Sequence, residues 1–188
     1  RNVGGLSTQD VRRILISLLS VLKYVHASRI IHRDIKPDNI FVDSSLTTMK
    51  VGDYGFSEVT GTMLVTAEYL APELIQRAES YSSACDVYAF AIVLWQIWFK
   101  QARPYTYVQK ETGTMPLLTL IQNGLRPSLD FEIEESMRPV HTRMVELIQQ
   151  CWSSKPEDRP MFNIIFARLE DMLSDLCKGE DDDNDDDE

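Results

Sequence analysis

Asp34, Lys36 and Asn39 fall within six residues, inside the run Ile31-His32-Arg33-Asp34-Ile35-Lys36-Pro37-Asp38-Asn39-Ile40-Phe41. A carboxylate there can accept a proton from a hydroxyl, an ammonium can hold a phosphoryl oxygen, and an amide oxygen can hold a divalent cation. Fourteen residues after Asn39 comes a second acid, Asp53, followed by Tyr54 and Gly55 at the exit of a short apolar stretch. Taken alone, Asp-Tyr-Gly reads as an ordinary turn in which Gly55 gives the backbone freedom.

Several elements must hold these residues in place. Ser7, with Asp10 three residues later, predicts a capped helix start. Val11, Ile14, Leu15, Leu18, Leu22 and Val25 then recur at helical spacing, so a helix over about 8–27 buries one face. Short strands are expected at Ile30-Ile31, before the reactive run, and at Ile40-Phe41-Val42, after it. A turn over Asp43 to Thr48 leads to a strand at Met49-Lys50-Val51, which pairs with 40–42 as a small hairpin. Pro72 can open a short helix to about Arg77. Ser83 can cap a longer helix over about 84–99, apolar on all sides and too short to span a bilayer, hence a buried core helix. Gln101 to Thr114 reads as a loop. Helices follow at Met115–Gln122, ended by Asn123-Gly124, at Pro139–Trp152 with Val145, Leu147 and Ile148 inward, and at about 161–176. The class is mainly α with a small β-hairpin region, and no internal repeat is visible.

A length of 188 residues with 44% hydrophobic residues suffices for one domain with a full core. The net charge of −10 is concentrated at the end: Glu180 to Glu188 hold eight acids and Asn184, and without them the chain is nearly neutral. Such a run cannot bury apolar area, so 1–177 reads as the domain and 178–188 as an acidic, disordered tail. The tail is either a solubilising segment or a docking segment for a basic partner. No basic patch suggests nucleic-acid binding. The chain starts at Arg1, as a fragment would, and shows no signal peptide or membrane span. Cys85, Cys151 and Cys177 lack zinc-ligand spacing and read as reduced thiols of a cytoplasmic protein.

The reactive run resembles the catalytic loop of the protein kinases, H-R-D-L-x-x-x-N, with Ile35 for Leu. Asp53-Tyr54-Gly55 is similar to D-F-G, with Tyr54 for Phe, and Ala71-Pro72-Glu73 to A-P-E. Asp86 to Trp95 resembles the central helix of the kinase large lobe, with Ala91 where Gly is usual. Gly124-Leu125-Arg126-Pro127, Cys151-Trp152, Pro156 and Asp158-Arg159-Pro160 resemble its later motifs. The resemblance covers about residues 5–177 and implies a protein-kinase-like fold, C-terminal lobe only. Lys36 and Thr66 favour serine/threonine type; the later motifs point to the tyrosine-kinase-like group.

The resemblance implies roles. Asp34 orients a substrate hydroxyl and takes its proton, and Lys36 neutralises the transferring group. Asn39 and Asp53 hold Mg2+, and together with Lys36 they contact ATP. Phe41 lies under the adenine, or else is plain core. Thr66 belongs to the substrate loop, where Val65 and Ala67 depart from the usual Gly and Pro. Asp86 holds the catalytic-loop backbone, and Arg159 pairs with Glu73. Ser57, Thr60 and Thr62 are candidate phosphosites whose phosphate Arg33 could pair with, or simply polar loop residues. Only 31 residues precede His32 and none forms the glycine-rich loop or its lysine strand, so the small lobe is absent. The fragment alone should bind ATP weakly, and its partners are a protein substrate and the missing N-terminal lobe or other domains of the same protein. The alternatives are a pseudokinase or scaffold that binds proteins without phosphotransfer, and an unrelated helical binding module.

Overall fold

A 16-residue helix that is apolar on every side must lie at the centre of whatever fold contains it. Every residue from Cys85 to Ile97 is buried in the computed structural model of the chain, which describes residues 7–43, 49–52, 67–76, 81–106, 108, 114–133 and 135–181. The elements among these are α1 (Thr8–Ala27), β1 (Ile40–Val42), β2 (Met49–Val51), α2 (Pro72–Gln76), α3 (Ser83–Trp98), α4 (Thr114–Gln122), α5 (Arg138–Cys151) and α6 (Phe162–Asp181). α1 packs on α6, α3 on α5, and α5 on α6, with β2 against α1. Among the described residues the result is mainly helical with one two-stranded sheet, the class expected from the sequence. No described helix is long and apolar enough to cross a membrane.

Local chemistry accounts for most boundaries. Ser7 Oγ accepts from Asp10 N while Asp10 Oδ2 accepts from Ser7 N, closing a capping box on α1. The face of Leu15, Leu18, Leu19 and Leu22 is then fully buried. β1 and β2 pair antiparallel in the register Ile40↔Val51, Phe41↔Lys50, Val42↔Met49. α4 stops at Gly124, whose φ of +98° lets the Leu125 N–H reach back to Leu120 O at 2.8 Å.

Several expectations need correction. Ile30-Ile31 is not a strand: Ile30 N bonds Val25 O at the end of α1, and the backbone donors after Ile31, on His32 and Arg33, are taken by a carboxylate. The α3 N-cap is Ser82, one residue early, and its side chain caps nothing. Val140, Met144, Leu147, Ile148 and Cys151 form the buried stripe of α5, and Val145 stays half-buried at its edge. Within the expected 101–114 loop, Tyr105 and Val108 reach the core. α6 continues to Asp181, five residues past its expected end and into the stretch read as tail.

Candidate functional site: a carboxylate held by a lysine and an asparagine

Asp86 stands in the first turn of the central helix and is 1% exposed. A carboxylate so deep must be saturated with donors. Its Oδ1 accepts from Arg33 N at 2.9 Å, and its Oδ2 from His32 N at 2.7 Å and His26 Nε2 at 2.8 Å. Arg33 has φ +71°, a left-handed conformation costly for a side chain of this size. The two bonds from Asp86 hold that kink, and the kink turns Asp34 out of the core. The Arg33 guanidinium rests 5.4 Å over the Tyr81 ring. Burial pushes the Tyr81 hydroxyl above its ordinary value.

Asp34 then meets two side chains from the 3-10 turn Pro37–Asn39 and its approach. Lys36 Nζ lies 2.8 Å from Asp34 Oδ2, and Asn39 Nδ2 donates to the same oxygen at 2.7 Å and to Asp34 O at 2.8 Å. Asp34 N is fixed by His32 Nδ1 at 3.3 Å. Oδ2 is thus occupied twice, while no described residue bonds Oδ1. Asn39 is 5% exposed, and with its nitrogen committed to Asp34 its amide oxygen is left to meet a cation. Asn39 O accepts from Gly52 N at 2.9 Å, which ties the end of β2 to the 3-10 turn. Phe41 is 56% exposed, so it is not core; its ring covers Gly52, where an added Cβ would lie 2.9 Å from Phe41 Cε2.

Glu73 and Arg159, 86 residues apart, form a two-pronged pair: Nη1 to Oε1 at 2.7 Å and Nη2 to Oε2 at 2.8 Å. Arg159 also donates to Ala84 O and Ser153 O and lies over the Tyr88 ring. Burial pushes the Glu73 carboxyl up, but the bonds and charge of Arg159 outweigh it and hold the group below its ordinary value. The pair ties the start of α2 to the start of α3, directly behind Asp86. Asp53, Ser57, Thr60, Thr62 and Thr66 lie outside the described residues.

Three contributors were missed in the sequence. His26 backs Asp86, and its place on the buried face of α1, four residues after Leu22, was a legible signal. Tyr81 had none, because its partner Arg33 is distant in sequence, and Gly52 carried only the signal of following the second strand of the hairpin that holds Phe41. Among the described residues no cluster of three or more His, Cys, Asp or Glu could hold a metal by itself.

A family model described as a protein kinase domain matches residues 1–168. The chain is similar to the serine/threonine-protein kinase STY17 of Arabidopsis thaliana, 30% identical over 182 residues, covering 94% of this chain and 30% of that protein. It is similar to the dual specificity protein kinase shkA of Dictyostelium discoideum, 32% identical over 166 residues, covering 82% of this chain and 29% of that one. A dual serine/threonine and tyrosine protein kinase of Takifugu rubripes is 27% identical over 180 residues, covering 94% of this chain and 18% of the relative. The chain thus spans less than a third of the length of these relatives. The kink fixed by Asp86, the carboxylate it presents and the match over most of the sequence agree, and this chain belongs to the protein kinase family.

Proposed function

We propose that the chain is the large lobe of a serine/threonine protein kinase of the tyrosine-kinase-like group, transferring the γ-phosphoryl group of ATP to a protein hydroxyl. The observation that carries the proposal is the convergence of Lys36 and Asn39 on Asp34 Oδ2. It leaves Oδ1 as the oxygen turned to an incoming hydroxyl, held in one orientation by two bonds to its twin. Asp34 orients that hydroxyl and accepts its proton as the oxygen–phosphorus bond forms. Lys36, 2.8 Å from the same carboxylate, offsets negative charge on the group in transfer.

Protein kinases use ATP with a divalent cation, which supplies charge neutralisation on the phosphates. The residues present fit Mg2+. Asn39 offers a hard amide oxygen and Asp53 a carboxylate, and Mg2+ is held by one or two such protein ligands with water and phosphate completing its shell. A sparse donor set is therefore the right one. Phe41, exposed beside Gly52, offers an apolar face for the adenine. Arg33 would pair with a phosphate on Ser57, Thr60 or Thr62, and Thr66 would line the substrate loop. Phosphotransfer requires a small lobe supplied from elsewhere in the protein.

The test is a magnesium-ATP binding and phosphotransfer assay on this chain and on the same chain preceded by its small lobe. Activity is expected in the extended protein only, and Asp34→Asn should lower its kcat by about 10²-fold or more while sparing ATP affinity. Unimpaired turnover in that variant would refute the role of Asp34. Silence of both proteins, with nucleotide unbound, would favour a scaffold that keeps the fold without the chemistry.

A further inference from the structure

On the far side of α3 from Asp86, at the end of the helix, a partly open cavity of about 270 Å³ is lined by Trp98, Phe99, Phe131 and His141. Its volume approaches that of small-molecule sites, and its walls are aromatic. Phe99 and Phe131 stack at 4.6 Å, and the His141 ring stands edge-on to Phe99 at 5.5 Å. None of these residues contributes to the site at Asp34.

One polar group has a defined direction. Trp98 Nε1–H can only donate, and it lies 3.0 Å from His141 Nδ1. Nδ1 is therefore the acceptor. Burial lowers the His141 pKa, which favours the neutral ring, so its single proton sits on Nε2. No described residue takes that proton. Among the described residues that line it the charges cancel: Lys100 and Glu132 both border the cavity, and both are exposed. A ligand with net charge gains nothing there, whereas a flat ring gains stacking area and an acceptor gains the Nε2–H.

We propose that this cavity is a binding site for an uncharged, planar aromatic molecule carrying one hydrogen-bond acceptor, which takes the His141 Nε2–H while its ring packs among Trp98, Phe99 and Phe131. The site is separate from the nucleotide and substrate sites and does not depend on the chain being an active enzyme.

The experiment is NMR titration of the full chain with three probes of similar shape at pH 8: isoquinoline, uncharged with one acceptor; N-methylisoquinolinium, a cation; and 2-naphthoate, an anion. The readouts are the Trp98 indole N–H resonance and the tautomer of nitrogen-labelled His141. Isoquinoline should saturate, shift the Trp98 resonance, bind about five-fold or more tightly than N-methylisoquinolinium, which lacks the acceptor, the share of one hydrogen bond, and bind more tightly than 2-naphthoate, whose charge gains nothing at this rim. His141→Phe should erase that preference, and Met137→Trp, which fills the cavity from the edge of α5, should abolish binding while the remaining resonances stay in place. Tighter binding of a charged probe, no saturation by isoquinoline, or affinity unchanged in both variants would overturn the proposal.

Discussion

Replacing Arg159 by Met should be among the most damaging single changes to this fold. The Arg159 side chain is 0% exposed and Glu73 16%. The substitution removes two charge-assisted bonds to Glu73, the bonds to Ala84 O and Ser153 O, and the contact with the Tyr88 ring. It also leaves a mostly buried carboxylate without its cation, a situation that costs about 3–5 kcal/mol. Glu73→Gln should cost less, about 1–3 kcal/mol, because Arg159 keeps both carbonyls and the ring. Urea unfolding followed by circular dichroism measures both. With a slope of about 2 kcal/mol per molar, Arg159→Met should lower the midpoint by about 2 M. The pH dependence has a definite sign. Glu73 is held below its ordinary value of 4.5 in the folded chain, so the pair stabilises fully above that value and its contribution is lost as pH falls below it. The gap between wild type and Arg159→Met should therefore narrow in acid. A loss under about 1 kcal/mol, the scale of an exposed pair, would refute the reasoning, as would a Glu73→Gln that costs more than Arg159→Met.

Asp86→Asn keeps the volume but surrenders one carboxylate oxygen and the charge facing His26, His32 and Arg33; it should cost about 2–3 kcal/mol by the same urea assay and free the Arg33 kink. Ser7→Ala removes the Oγ that accepts from Asp10 N, leaving only the Ser7 N–H to Asp10 arm of the capping box, and should cost about 1 kcal/mol, read as earlier melting of α1. Gly124→Ala meets nothing within 4 Å, so its loss of about 1 kcal/mol should come from the positive φ alone, and Gly124→Asn should recover part of it. Burial pushes the Cys85 thiol up to about 11 and Cys151 up to about 12. Both should resist alkylation at pH 8 at a rate set by unfolding, and rapid modification of either in the native chain would contradict their placement.

Two kinds of information were legible in the residues alone. Short-range patterns settled α1, the two strands of the hairpin and the end of α4, because capping, alternation and a left-handed glycine act within a few residues. Motif spacing identified the family and nominated Asp34, Lys36, Asn39, Glu73, Asp86 and Arg159. The tertiary structure decided what those residues touch. Ile30 and Ile31 carry a strand-like composition, yet Asp86, more than 50 positions away, takes the backbone donors that follow them. Phe41 could have been core by its type; only its position over Gly52 at an open edge leaves it exposed. Tyr81 looks like an ordinary surface-capable residue until packing sets it against Arg33, and the helical spacing that puts His26 on the buried face of α1 does not say that Asp86 is what it meets. The cavity at the end of α3 was invisible for the same reason: α3, α5 and the 131–133 segment each supply part of its wall, and no local pattern in the chain encodes the space between them.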